Sequence, residues 1–173
     1  KPGVDFAQYQ GMPKPFLHKP GAEKLADFYG FTPRYECILA VEKWDADPPF
    51  FYYRYRCILS RRSDGSHVGE KIGSCNSREK KYAGTWEWEN KVPAHLDIDR
   101  LRYREFKIKT GPNRGQTARQ YYVPNEDICS LVHTLDAMAQ KRAYVLAVRE
   151  ATRTGGIFDV DEDIRDDGGD HGR

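Results

Sequence analysis

Long apolar runs are missing from this 173-residue sequence, and no stretch reaches the length that a membrane-spanning helix needs. The signatures of nucleotide hydrolysis and of common hydrolases are missing as well. There is no glycine-rich P-loop, no His-Glu-x-x-His and no Gly-x-Ser-x-Gly. The four cysteines (Cys37, Cys57, Cys75 and Cys129) contain no Cys-x-x-Cys pair, so reduced, buried thiols are expected rather than a zinc site. The five histidines (His18, His67, His95, His133 and His171) share no spacing. No metal, cofactor or catalytic residue is therefore expected. The first residues, Lys1-Pro2-Gly3-Val4-Asp5, include no apolar leader segment, and a cytoplasmic protein is expected.

What is present is charge, unevenly placed. The formal net charge is only +2. Residues 159–173, however, hold seven acids and two arginines, which leaves 26 basic against 19 acidic residues in 1–158, a balance of +7. A basic body can hold phosphate through lysine and arginine, with the salt dependence that implies. The acidic stretch 159–173, rich in Asp and Gly, reads as a disordered tail.

Periodicity divides the rest. Residues 1–19, with Pro2, Pro13 and Pro15, read as an extended arm. Pro20 to Tyr29 reads as a short helix with an apolar stripe of Leu25, Phe28 and Tyr29, stopped by Gly30. Tyr35 to Lys43 alternates, with Tyr35, Cys37, Leu39 and Val41 on one face and Arg34, Glu36, Ile38 and Glu42 on the other. Phe50 to Leu59 is the longest aromatic and β-branched run. The Asp64-Gly65 turn predicts an antiparallel return over His67–Ser74, where Gly69 and Gly73 suggest close backbone approach or a bulge. A short helix over Arg78–Tyr82, capped by Asn76 or Ser77, is followed by an irregular stretch over 84–99. Leu101–Lys109 and Gln116–Val123 read as two more strands. A long helix starts at Asn125 as N-cap, carries Ile128, Leu131, Val132, Leu135, Met138, Ala139, Val145 and Leu146, and ends at Gly155-Gly156. Consecutive strands argue for an α+β fold: an antiparallel β-meander covered by one long C-terminal helix, forming a single domain over 20–158.

Three clusters suggest nucleic-acid binding. Alternation along β-strand 50–59 puts Phe51, Tyr53, Tyr55, Cys57 and Leu59 on one face and Phe50, Tyr52, Arg54, Arg56 and Ile58 on the other. Guanidinium groups pair with phosphate and rings stack on bases, so Tyr52, Arg54 and Arg56 form a candidate platform. The alternative is a half-exposed face whose arginines pair with Glu36 or Glu42. The turn from Gly73 into Arg78, Lys80, Lys81 and Tyr82 offers backbone N–H groups and three bases to a phosphate, or is simply a solvated helix turn. Lys141 and Arg142 interrupt the long helix beside Ala139 and Ala143, small residues that admit a neighbouring backbone. Arg100, Arg102, Arg104, Lys107 and Lys109 add charge but split between the faces of their strand. Asp64, Glu79 and Lys81 also fit a loose Asp…Glu-x-Lys pattern of metal-dependent nucleases, a second functional reading; an RNA- or protein-binding accessory module of a mobile element is a third.

Four segments, KPGAEKLADFYGF (19–31), FFYYRYRCIL (50–59), GSCNSREKKY (73–82) and PNEDICSLVHTLDAMAQKRAYVLAVREATRTGGIFDVDED (124–163), occur in the order found in a group of phage and plasmid proteins. The group resembles single-strand annealing proteins, recombination mediators broadly similar to eukaryotic annealing recombinases. The most specific part is the helix with its Met-Ala-x-Lys-Arg-Ala core, followed by Ala-Thr, a glycine turn, Phe-Asp and acids. Relatives often carry a zinc-ribbon insertion before that helix, whereas Thr85–Pro124 here contains no cysteine. The resemblance implies a β-β-β-α core and ATP-independent binding and pairing of single-stranded DNA in recombination and repair. It further implies assembly with itself into rings or filaments inside a bacterial or phage-infected cell, no membrane contact, and a possible host recombination or replication partner. Carried over, it implies DNA contacts at Arg54, Arg56, Arg78, Lys80, Lys81, Lys141 and Arg142, with Tyr52 and Tyr82 as stacking rings.

Overall fold

A computed structural model describes residues 1–108, 110–112 and 114–159. The acidic tail beyond Asp159 and the expected contribution of Lys109 lie outside the described residues.

The Asp64-Gly65 turn forms as its chemistry requires. Gly65 takes φ +71°, Arg61 and Ser66 close the hairpin at 2.8 Å, and Asp64 accepts the Ser66 N–H. On either side run β4 (Phe50–Arg61) and β5 (His67–Asn76), with β3 (Phe31–Lys43) on the far side of β4. The three make an antiparallel sheet in the order β3-β4-β5. Alternation along β4 holds: Phe51, Tyr53, Cys57 and Leu59 are buried and Arg54 is exposed. The buried face is covered by α3 (Val132–Ala151). The fold is thus α+β, antiparallel strands under one long C-terminal helix.

The helix sits unusually close. A Cβ on Gly73 of β5 would collide with the Ala143 backbone N and come within 2.7 Å of the Ala139 carbonyl oxygen. Ala139, Ala143 and Ala147 are fully or almost fully buried, so a stripe of small residues spaced four apart lets the helix backbone ride on the strand. Larger side chains fill in on either side. Leu135 packs with Phe51, Tyr53 and Cys75, and Val148 packs with Leu59, Cys57 and the N-terminal elements. Cys57 and Cys75 are buried as expected, whereas Cys37 and Cys129 are exposed.

Several expectations are corrected. The N-terminal segment, expected as an extended arm outside the domain, is docked on it. Short strands β1 (Phe6–Ala7) and β2 (Phe16–Leu17) pair, Phe16 and Leu17 are buried, and Pro15 and Leu17 exchange backbone hydrogen bonds with Asp159. Helix α1 (Lys19–Phe28) buries Gly21, Ala22 and Ala26, while Phe28 is 83% exposed. Asn125 does not cap α3. Its side chain accepts from Asp127 N in a local turn, one turn of 3-10 helix covers Ile128–Leu131, and only then does α3 begin. The helix stops before the glycines, at Ala151, and Arg153 just beyond it adopts the left-handed conformation. The stretch expected to be irregular contains β6 (Gly84–Trp88). After the four-residue helix α2 (Lys80–Ala83), β6 joins β7 (Tyr103–Lys107) and β8 (Thr117–Pro124) in a second antiparallel sheet of order β6-β8-β7.

The Gly73 contact sets a test. Gly73→Ala should lower stability by about 3 kcal/mol, because the helix must move off the strand. Gly69→Ala two turns of pleat away should be close to neutral, since a Cβ there meets nothing within 4 Å. Urea unfolding of both variants reads the difference; equal midpoints would remove the helix–strand contact from the account.

Candidate nucleic-acid interface

The face of β3-β4-β5 turned away from α3 is decided by one irregularity. Cys37 pairs with Tyr55, but Leu39, not Ile38, pairs with Arg54. Ile38 is therefore a bulge, and every later β3 side chain changes sides. Tyr35 and Cys37 lie on the helix side, as do Ala40 and Glu42, and Glu42 accepts from the Tyr53 hydroxyl at 2.6 Å. Leu39, Val41 and Lys43 join Arg54, Tyr52 and Phe50 on the open side. The uninterrupted alternation expected for β3 is wrong for this reason. The sequence alone gives no sign of the bulge, because Ile38 and Leu39 are equally suited to either face.

On the open face the arginines take different roles. Arg54 is exposed and pairs with no acid among the described residues. Arg56, 38% exposed, lies between Glu36 at 3.7 Å and Glu70 at 3.5 Å. Of the expected acidic partners, Glu36 engages Arg56 and Glu42 does not. Arg78 reaches the same face from the turn after β5, its guanidinium 4.5 Å from the Phe50 ring centroid. Tyr52 is half-buried between Val41 and Asn76. One end of the face is therefore acid-balanced around Arg56. The other carries Lys43, Arg54 and Arg78 with Phe50 and Tyr52.

The turn at Asn76 does not offer free amides. Glu79 Oε1 accepts the Asn76 N–H at 3.0 Å, Asn76 Oδ1 accepts the Arg78 N–H at 2.9 Å, and the Ser77 Oγ accepts the Phe51 N–H. The expected phosphate cradle is thus closed by its own side chains, and α2 spans only four residues. Lys80 and Lys81 are exposed beside it, with Lys81 Nζ 4.9 Å from the Tyr82 ring centroid. Tyr82 is 8% exposed, and its hydroxyl is pushed upward in pKa chiefly by burial. A ring so enclosed packs against the core and is not available to stack on a base.

Arg142 is also an internal residue. Its guanidinium grips Glu79 at 2.8 and 2.7 Å and donates to the Ser74 carbonyl at 2.6 Å. This clamp ties α3 to the end of β5 and satisfies a carbonyl on the sheet edge. Lys141 is half-buried on α3, on the side of the sheet opposite Arg54. Of the nine residues expected to touch DNA, the fold gathers Tyr52, Arg54, Arg56 and Arg78 on one face. It places Lys80 and Lys81 on the adjoining turn and sets Tyr82, Lys141 and Arg142 apart. Phe50 stands on the face as alternation expects, and Leu39 and Lys43 join it through the bulge.

The nuclease pattern is not assembled. Asp64 sits in the hairpin turn with Arg61 and Ser66, and Glu79 follows the far end of ten-residue β5, a strand roughly 30 Å long. Among the described residues no group of three acids, histidines or cysteines could hold a metal ion, and no helix is long and apolar enough to cross a membrane. Comparison with known proteins gives no match to a family model, a curated protein or a solved structure.

The Glu79–Arg142 clamp predicts a pH dependence. Burial alone would raise the Glu79 carboxyl, but Arg142 and the Asn76 N–H outweigh it and hold the group below its ordinary value of 4.5. A carboxyl lowered in the folded state contributes stability above its unfolded value, and that contribution disappears as pH falls through the lowered one. Glu79→Gln should cost about 2 kcal/mol at pH 7, since Arg142 keeps its charge and loses its counterion. At a pH below that lowered value most of the difference should vanish. Denaturant unfolding at both pH values checks it; an equal loss at both would show that the ion pair is not the stabilising element.

Proposed function

We propose that this protein binds single-stranded DNA and promotes ATP-independent annealing of complementary strands. The observation that carries the reading is the open end of the β3-β4-β5 face, where Lys43, Arg54 and Arg78 stand beside Phe50 and Tyr52 and Arg54 has no acidic partner among the described residues. Guanidinium and ammonium groups spaced along a strand hold a phosphate backbone, and rings between them receive unpaired bases. The surplus of seven positive charges in residues 1–158 favours capture of a polyanion. The resemblance of the 124–163 segment to annealing proteins points the same way. Annealing needs no covalent step: the backbone is held electrostatically while the bases remain free to test pairing. Self-association into a ring or filament belongs to the same proposal, because several copies would extend one strand along a line of such faces.

Replacing Arg54 and Arg78 together by alanine should weaken binding of a single-stranded oligonucleotide roughly tenfold. It should also lower the slope of log affinity against log salt by about 0.7 for each phosphate contact removed. The same variant should slow pairing of complementary oligonucleotides without ATP. Unchanged affinity and slope would assign the face a structural role and overturn the proposal.

A further inference from the structure

The second sheet sorts its side chains by chemistry. Cross-strand partners in an antiparallel sheet share a face. The pairs Trp86–Tyr122, Trp88–Gln120, Arg104–Gln120 and Phe106–Ala118 therefore place four aromatic rings and Arg104 on one side of β6-β8-β7. The other side receives Glu87, Glu105, Lys107, Arg119, Tyr103 and the buried Tyr121. Both carboxylates of these strands thus fall on one face, and the aromatic face has none.

The aromatic face is built as alternating flat groups. The Arg104 guanidinium lies 4.6 Å from the Trp86 ring centroid and 4.9 Å from that of Phe106. It is held there by donating to Gln120 Oε1 at 3.0 and 2.7 Å. Arg102 lies 4.5 Å over Tyr122. The rings meet edge to face, Trp86 with Tyr122 at 5.4 Å and Trp88 with Phe106 at 6.3 Å. Gly84 makes room for this: a Cβ there would lie 2.8 Å from the Tyr122 ring. None of the aromatic or arginine side chains on the face is buried, and Trp88 is 41% exposed.

A core face would bury such rings and would not intercalate guanidinium groups, whereas an ordinary solvated strand face would not carry four aromatics. Rings interleaved with cations and free of acids match a ligand with flat π surfaces on an anionic backbone. A duplex keeps its bases stacked inside and cannot present them to a sheet. We propose that Trp86, Trp88, Arg102, Arg104, Phe106 and Tyr122 form a second DNA surface that stacks unpaired bases of a single strand. The choice of single-stranded DNA rests on the function proposed above; the surface itself shares no residue with the Arg54 face.

The chain has three tryptophans, so Trp44→Phe leaves only the two of this face as reporters. Titrating the full Trp44→Phe chain with a thymidine oligonucleotide should quench its emission saturably, and heparin, a polyanion without bases, should not. Trp88→Ala should weaken oligonucleotide binding roughly tenfold with an unchanged salt slope, because it removes a stack and no phosphate contact. Trp88→Phe should recover most of the affinity. Emission unaltered at saturating oligonucleotide, or quenched equally by heparin, overturns the inference even if Trp88→Ala fails to fold. If Arg54 and Arg78 matter while the tryptophans stay silent, this surface is discarded and the proposed function stands. If quenching and the Trp88 effect appear while the Arg54–Arg78 variant binds normally, the inference stands and the first face is the one misassigned.

Discussion

The approach of α3 to β5 at Gly73 is the contact on which the rest of the structure depends. A helix backbone resting on a strand backbone leaves no room for a side chain between them, so Gly73, Ala139 and Ala143 have to be small together. Once the helix is seated there, the face of β4 that carries Phe51, Tyr53, Cys57 and Leu59 has to be the buried one. The face that carries Tyr52, Arg54 and Arg56 is then open by necessity, not by any preference of its own. Position of a candidate binding surface is in this sense a consequence of helix packing.

Placement of the arginines follows the same logic one level up. A guanidinium near the core is stable only where a carboxylate and a carbonyl meet it. Arg142 meets both, in Glu79 and Ser74, and so becomes part of the framework. Arg54, toward the other end of the open face, has Leu39 and Ser74 as its cross-strand neighbours and no acidic partner among the described residues. Its charge is therefore left for something else, whereas Arg56 is held between Glu36 and Glu70 at surface distances worth at most about 1 kcal/mol. The three residues share a type and differ in what surrounds them.

Sequence made parts of this legible for definite reasons. Period-two alternation in β4 separates Tyr52, Arg54 and Arg56 from Phe51, Tyr53, Cys57 and Leu59, because side chains of a strand point alternately to its two faces. Gly73 and the alanines of α3 were readable as a close approach, since small residues on both partners serve that purpose. The bulge at Ile38 was not readable, because a one-residue slip in an apolar run leaves no mark on composition. The start of α3 lies beyond the expected cap because Asn125 suits an Asx turn as well as a helix cap, and the two differ only in the residues that follow. Strand β6 is not legible in the sequence because Gly84-Thr-Trp-Glu-Trp is too short to show a period, and its pairing partner is more than thirty residues away. Tyr82 and Arg142 were assigned outward roles that three-dimensional neighbours, invisible in a linear reading, assign inward.

The two sheets solve a common problem differently. Each is three antiparallel strands wide with one face rich in rings and guanidinium groups. In β3-β4-β5 that face is mixed, with acids gathered at the Arg56 end. In β6-β8-β7 the acids are all on the opposite side and the arginines lie against rings. A guanidinium stacked on a ring keeps its outward N–H groups and most of its charge, whereas one paired with a carboxylate presents a neutral pair. Arrangement by stacking therefore preserves a positive potential over an apolar surface, and arrangement by ion pairing cancels it. By that criterion the aromatic face of the shorter sheet keeps the charge of Arg104, which lies against rings and has no strand carboxylate beside it.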